Sequence, residues 1–215
     1  MSLKLIFTGP SGAGKSTLIK RIKSENTFLH FSISCTTRNQ RKNELQGKDY
    51  YFLSREEFKN KIKNDEFLEH ENFNGNLYGT LKSEFKGNVI ADLERKGVKR
   101  LKEIAKDDKS YIFIFIYTSK EDMIKRLIER STDSLNYYDM TEEQKKEFES
   151  RLKEQEEDIL LLKEKNFFDI VILNENGKLE DKLKELVTKI NEISEVKIKI
   201  KNFDEINAAE IKIKN

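Results

Sequence analysis

Residues 9–16 read Gly9-Pro10-Ser11-Gly12-Ala13-Gly14-Lys15-Ser16, the spacing G-x-x-x-x-G-K-[ST] of a phosphate-binding loop. Ahead of it, Leu3, Leu5, Ile6 and Phe7 form an apolar run suited to a buried strand. Behind it, Ser16 to Ile22 has helical character. Strand, glycine turn and helix N-terminus are the setting in which the motif has a mechanism. Glycines let the backbone curl so that successive N–H groups point at phosphate oxygens, and the helix dipole adds positive charge. Gly9 to Ser16, with Thr17, are therefore expected to surround a nucleoside triphosphate. Lys15 would reach its outer phosphates, and the Ser16 hydroxyl would ligate Mg²⁺.

Composition bounds the class. The 215 residues suit one α/β domain with insertions. Charged residues make up 37% and hydrophobic ones 36%, which implies a lean core under an ionic surface. Lysine plus arginine number 41 against 39 acidic residues, a net charge of +2. That balance argues against nucleic-acid binding through bulk charge. One cysteine, Cys35, excludes an internal disulfide and fits a reducing compartment. One cysteine with two histidines, His30 and His70, at unrelated spacing offers no metal cluster. The first strand follows Met1 too closely for a signal peptide. The longest apolar run, Tyr111 to Tyr117, is far too short to span a bilayer. A cytoplasmic protein without a membrane partner is expected.

Strand-like runs at 3–8, 111–117 and 168–173 alternate with helical stretches, which predicts a parallel sheet flanked by helices. Ser119 to Asp122 has capping-box character and opens a helix carrying Met123, Ile124, Leu127 and Ile128. Residues 142–165 form a long polar helix, and 178–193 a last amphipathic one. The core is thus expected in 1–32 and 88–193. Residues 33–87, with strand-like patches and a short helix near 54–64, read as an inserted lobe. Residues 131–150 read as a lid. The 194–215 extension alternates Val196-Lys197-Ile198-Lys199-Ile200 and ends Ile211-Lys212-Ile213-Lys214. That period predicts β-like structure, with a peripheral hairpin preferred over a role in catalysis.

A second constellation addresses the phosphoryl acceptor. It comprises Ser34-Cys35-Thr36-Thr37-Arg38-Asn39-Gln40-Arg41, then Gly47-Lys48-Asp49-Tyr50, then Glu69, then Gly75-Asn76-Leu77-Tyr78-Gly79-Thr80. Arg38, Arg41, Tyr50 and Tyr78 can hydrogen-bond a phosphate monoester, for which the arginine fork is suited. Ser34, Glu69 and Thr80 can read a base edge. A carboxylate accepts two donors side by side, matching guanine's N1–H and exocyclic 2-amine, whereas adenine presents an unprotonated N1 and no 2-amino group.

In this order, these motifs resemble the guanylate kinase family of P-loop nucleoside monophosphate kinases, over most of residues 3–190. The resemblance implies MgATP + GMP ⇌ ADP + GDP, with dGMP as a further acceptor. It places Ser34, Glu69 and Thr80 on guanine, and Arg38, Arg41, Tyr50 and Tyr78 on the acceptor phosphate. Arg126, Arg130 and Arg151 match the family's lid arginines, and Asn174 stands where the family contacts adenine. In so charged a chain, Arg151 also admits a surface ion-pair role, and Asn174 that of a turn residue.

Three departures stand out. Leu77 replaces the family's second tyrosine. The lid carries Tyr137-Tyr138-Asp139 as extra material. The stretch after Thr80 is several residues short and aligns in two ways. In one, Val89-Ile90-Ala91 is a strand ending at Asp92, near Mg²⁺ and the acceptor. In the other, 89–96 is a helix and the strand is lost. The first is expected, because Lys86-Gly87-Asn88 reads as a turn. The departures leave two other classes open: a kinase for another phosphorylated small molecule, and a non-catalytic guanylate-kinase-like binding module. The sequence leaves the oligomeric state undetermined.

Overall fold

The computed structural model describes residues 2–41, 44–73, 75–106, 108–131 and 137–200, excepting the side chains of residues 73, 130, 131, 139 and 147. Its strands are β1 (Lys4–Thr8), β2 (His30–Phe31), β3 (Cys35–Thr36), β4 (Tyr51–Phe52), β5 (Phe67–Phe73), β6 (Asn76–Leu81), β7 (Val89–Asp92), β8 (Tyr111–Tyr117) and β9 (Ile170–Leu173). Its helices are α1 (Lys15–Glu25), α2 (Arg55–Lys63), α3 (Arg95–Ile104), α4 (Lys120–Ser131), α5 (Glu142–Leu160) and α6 (Leu179–Ile193). The chain divides into two compact units, one of residues 1–8 and 28–111, the other of 9–27 and 112–215.

In the first unit β2, β7 and β1 run parallel, with Lys4 to Phe7 in register with Val89 to Asp92. Leu5, Ile6, Phe7, Val89, Ile90 and Ala91 have no exposed surface, which explains their continuous apolar character. Of the two alignments of the shortened stretch, the fold adopts the one with the strand. The helix before it shrinks to a 3₁₀ turn, Lys82–Phe85, and Gly87 at φ 72° makes the bend into β7. A turn of that handedness suits glycine because it lacks a Cβ.

The same unit holds a four-stranded sheet in the order β4-β3-β6-β5. Strand alternation gives it two unlike faces. On one, Cys35, Phe67, Leu77 and Leu81 pack with Phe58 of α2, whose ring stacks on Phe67 at 4.4 Å between centroids. Helix α2 starts where Ser54 accepts from the Glu57 N–H and the Glu57 carboxylate accepts from the Ser54 N–H, a closed capping box. Burial pushes the Cys35 thiol up to about 12, so this cysteine behaves as a small apolar residue.

In the second unit β8 and β9 pair in parallel, Ile114 opposite Ile170 through Tyr117 opposite Leu173. Leu183, Leu186, Val187 and Ile190 form the buried stripe of α6. At α4 the Ser119 hydroxyl accepts from the Asp122 N–H at 3.0 Å. Half of the expected box is made, because the Asp122 carboxylate turns instead to the backbone and side-chain N–H groups of Asn176. Within the lid segment Met140 and Phe148 join Met123 and Leu127 in a small core, with Tyr137 packed against it. Of the two extra tyrosines Tyr137 thus packs and Tyr138 is exposed; residues 132–136 of the segment expected as a lid lie outside the described residues.

Residues 197–200 carry no strand or helix, against the expected β-structure. The Asn191 amide brackets Ile198 and the Asn26 amide brackets Lys199, each accepting from the N–H and donating to the C=O. Ile198 is buried beneath them. The rest of the expected hairpin, 201–215, lies outside the described residues. Among the described residues no helix is long and apolar enough to cross a membrane.

Candidate active site

The phosphate loop follows β1 directly in the chain. Gly9, Gly12 and Gly14 have φ of 133°, 83° and 90°, values that put the repeated glycines to use. Gly14 is the N-cap of α1. The loop's carbonyls are held from outside by side-chain donors. Lys15 Nζ donates to Gly9 O and Pro10 O at 2.5 and 3.2 Å. Arg126 Nη1 donates to Gly12 O at 3.0 Å, and Asn174 Nδ2 to Ala13 O at 2.8 Å. Arg151 Nη1 reaches the Ser11 hydroxyl at 2.6 Å. With those carbonyls engaged, the loop's N–H groups and the start of α1 are what it presents to an anion.

Ser16 and Thr17 are exposed in the first turn of α1, while Ala13 is fully buried. Arg126 and Arg151 are therefore gathered at the loop. Arg126 also donates to the carbonyl of Asn174 and the side chain of Asn176. The Asn174 side chain is buried against the loop it braces. The Arg130 side chain lies outside the described residues.

Three of the residues expected to meet the acceptor, Glu69, Tyr78 and Thr80, lie on the other face of the four-stranded sheet. Thr36 is opposite Tyr78 and alongside Phe52, while Glu69 is opposite Thr80. Phe52, Thr36, Tyr78 and Glu71 form one row across the four strands, and Thr80 and Glu69 pair in the next, with Ser34 and Tyr50 standing just before β3 and β4. Directly opposed side chains in such rows lie ~5 Å apart at Cβ. Glu69 and Thr80 are brought together by register, and Tyr50 and Tyr78 by their rings, 6.2 Å apart between centroids.

Burial pushes the Glu69 carboxyl up to about 7; Glu71 and Glu94 add to the rise and Thr80 opposes it. The Thr80 hydroxyl is close enough for that effect, yet the fully buried Oγ1 makes no hydrogen bond of ordinary geometry. A buried hydroxyl left so costs ~1–3 kcal/mol, which a polar ligand edge can recover. Burial, then Asp92 and Glu94, raise the Tyr50 phenol, keeping it a hydrogen-bond donor. Asp92, at the end of β7, thereby belongs to the same electrostatic neighbourhood.

Arg38 lies over the Tyr50 ring at 5.5 Å and is held by Glu44 at 2.8 and 3.0 Å. The Arg41 N–H donates to the same carboxylate at 2.8 Å.

A family model described as guanylate kinase matches residues 1–193. The chain belongs to the guanylate kinase family. A guanylate kinase of Clostridium tetani is 44% identical over 139 residues, 61% of this chain and 65% of that protein. The alignment thus spans a little under two thirds of that relative's length. A guanylate kinase of Sus scrofa is 37% identical over 180 residues, 80% of this chain and 84% of its own. The crystal structure of guanylate kinase from Anaplasma phagocytophilum shares the fold, with a TM-score of 0.65 at 24% identity, covering 91% of this chain and 87% of that one.

For a guanylate kinase family member the sequence constellation omitted three residues that the structure brings to the site. Glu94 is the N-cap of α3 and acts on Glu69, Glu71 and Tyr50. Glu71 shares the Glu69 face of β5. Glu44 holds Arg38. The Asp92-Leu93-Glu94 spacing, two acids at the end of a strand, was the available signal for Glu94.

Proposed function

We propose that this chain is an ATP-dependent guanylate kinase, transferring the γ-phosphoryl group of MgATP to GMP, and to dGMP, to give ADP and GDP. The observation that carries this reading is the Glu69–Thr80 pair on the face of the sheet that also bears Tyr78, whose ring meets that of Tyr50 at 6.2 Å between centroids. It joins a carboxylate, a hydroxyl and two phenols, groups that a guanine edge and an adjacent phosphate require. Family membership supports the same reading.

In it, Gly9 to Thr17 cradle the ATP phosphates and Asn174 closes the adenine side through its hold on the loop. Lys15, Arg126, Arg130 and Arg151 neutralise charge on the transferring group, which in phosphoryl transfer is most of what a protein supplies. Arg38, Arg41, Tyr50 and Tyr78 hold the acceptor phosphate, with Asp92 near the attacking oxygen. Transfer is direct and in line, with no covalent intermediate.

The Ser16 hydroxyl, exposed in the first turn of α1, would be this chain's ligand to an Mg²⁺ brought in with the nucleotide. When bound, the ion screens charge on the β- and γ-phosphates. The lobe 33–87 is proposed as the GMP-binding segment and the cytoplasm as the compartment.

The test is ADP release with MgATP and GMP, dGMP, AMP, CMP or UMP, run with the wild type and Lys15→Ala. Turnover with GMP that disappears in a folded Lys15→Ala protein supports the reading. A wild type that binds an ATP analogue yet turns over none of the acceptors refutes it and favours a binding module.

A further inference from the structure

Gly97 is the third residue of α3, a buried position. It is absent from the glycines with positive φ, so the backbone does not ask for glycine there. Alanine is the better helix former at such a site. The surroundings explain the choice. A Cβ built on Gly97 would lie 3.0 Å from both Cδ and Oε2 of Glu69, and 3.5 Å from its Cγ. Carbon atoms in packed interiors settle at ~3.5–4.0 Å, so an alanine and the carboxylate compete for one space.

On its own sheet Glu69 faces Thr80, so a carboxylate that gives way to a side chain at 97 moves relative to its paired hydroxyl. From α3, Lys96 pairs with Glu71 at 3.6 Å, which fixes the helix's first turn over the same face of β5. Glu69 is therefore held between a strand and a bare Cα.

We propose that Gly97 is a positioning residue that sets base specificity: its missing side chain leaves the seat in which the Glu69 carboxylate faces the guanine edge. This inference rests on the guanylate kinase reading and deepens it. A displacement of several tenths of an ångström spoils a two-donor contact while leaving the donor site untouched. GMP recognition, not ATP binding, is what a side chain at 97 would damage.

The experiment compares wild type and Gly97→Ala for kcat and for KM with GMP, AMP and ATP, together with thermal melting. Expected is a rise in KM for GMP of ~10-fold or more, a narrower GMP-to-AMP preference, and a KM for ATP within about twofold of wild type. Unchanged KM for GMP in the variant overturns the inference. So does a parallel loss of ATP and GMP binding with a lower melting temperature, which marks a general packing role.

A second comparison needs no activity. In a Glu69→Ala background the conflict is gone, so adding Gly97→Ala should leave the melting temperature equal or higher. A lower one overturns the inference. A wild type without GMP turnover overturns the activity itself, whereas a GMP-active wild type with an indifferent Gly97→Ala overturns the inference alone.

Discussion

Both carboxylate oxygens of Glu44 lie within hydrogen-bonding distance of Arg38 Nη2, at 2.8 and 3.0 Å, and one also accepts the Arg41 N–H. Burial would raise the Glu44 carboxyl, but Arg38 and the Arg41 backbone outweigh it and hold it below its ordinary value. One carboxylate thus arranges both arginines expected to meet the acceptor phosphate. Glu44→Ala should raise KM for GMP by ~10-fold, the loss of a charge-assisted contact that preorganises the site. KM for ATP should not move. Steady-state kinetics decide, and a lower KM for GMP would recast Glu44 as a competitor of the phosphate.

On the proposed function, a Glu69 carboxyl raised to about 7 makes GMP recognition pH-dependent. Guanine's two donors need the ionised form. KM for GMP should therefore climb as pH falls below 7, by up to ~10-fold per unit, with KM for ATP flat. Stability runs by the same linkage. The folded pKa lies above the ordinary 4.5, so the folded state holds a proton that the unfolded chain has lost. This contribution is full below about 4.5 and is lost as pH rises through 7. Glu69→Gln, which cannot titrate, should gain melting temperature relative to wild type between pH 4.5 and 8. A flat difference across that range would contradict the assignment.

The sequence made some of this legible and hid the rest for physical reasons. Strand β8 was plain because a run buried on both faces is apolar throughout. Strand β7 was reached through the turn at Gly87 rather than through its own four residues. Strands β3 and β4, two residues each, have no period to detect, yet their register sets Phe52 and Thr36 in line with Tyr78. Gly97 and Glu69 stand far apart in the chain, and no local pattern reports their proximity. The alternation at 196–200 predicted β-structure; there the backbone is paired by the Asn26 and Asn191 side chains instead. Asp122 fits the capping box by spacing, but Asn176 claims its carboxylate.

Gly9 has φ 133°, and a Cβ on it would overlap the Ile116 carbonyl oxygen. Gly9→Ala should lower the melting temperature and abolish detectable binding of an ATP analogue, since strand β8 and the loop cannot both keep their positions. Calorimetric titration with a non-hydrolysable analogue measures this. Wild-type affinity in the variant would mean that the loop tolerates the shift.

Glu84 gathers three donors from separate elements: the Ile33 N–H at 3.0 Å, His30 Nε2 at 2.8 Å and the Tyr51 hydroxyl at 3.3 Å. Its side chain is only 11% exposed. Glu84→Ala leaves the Ile33 N–H unpaired and should cost ~1–3 kcal/mol of stability. Urea denaturation provides the number. A loss below a few tenths would mean that water replaces the carboxylate.

The central claim is that Glu69, paired with Thr80 across β5 and β6, selects guanine. The most direct measurement is the ratio of kcat/KM for GMP to that for AMP, in the wild type and in Glu69→Gln. A carboxylate read by two donors predicts a wild-type ratio of ~10⁴ or more, collapsing by at least ~10² when one accepting oxygen becomes an amide donor. A ratio near one in the wild type, or a large ratio untouched by Glu69→Gln, would contradict the account.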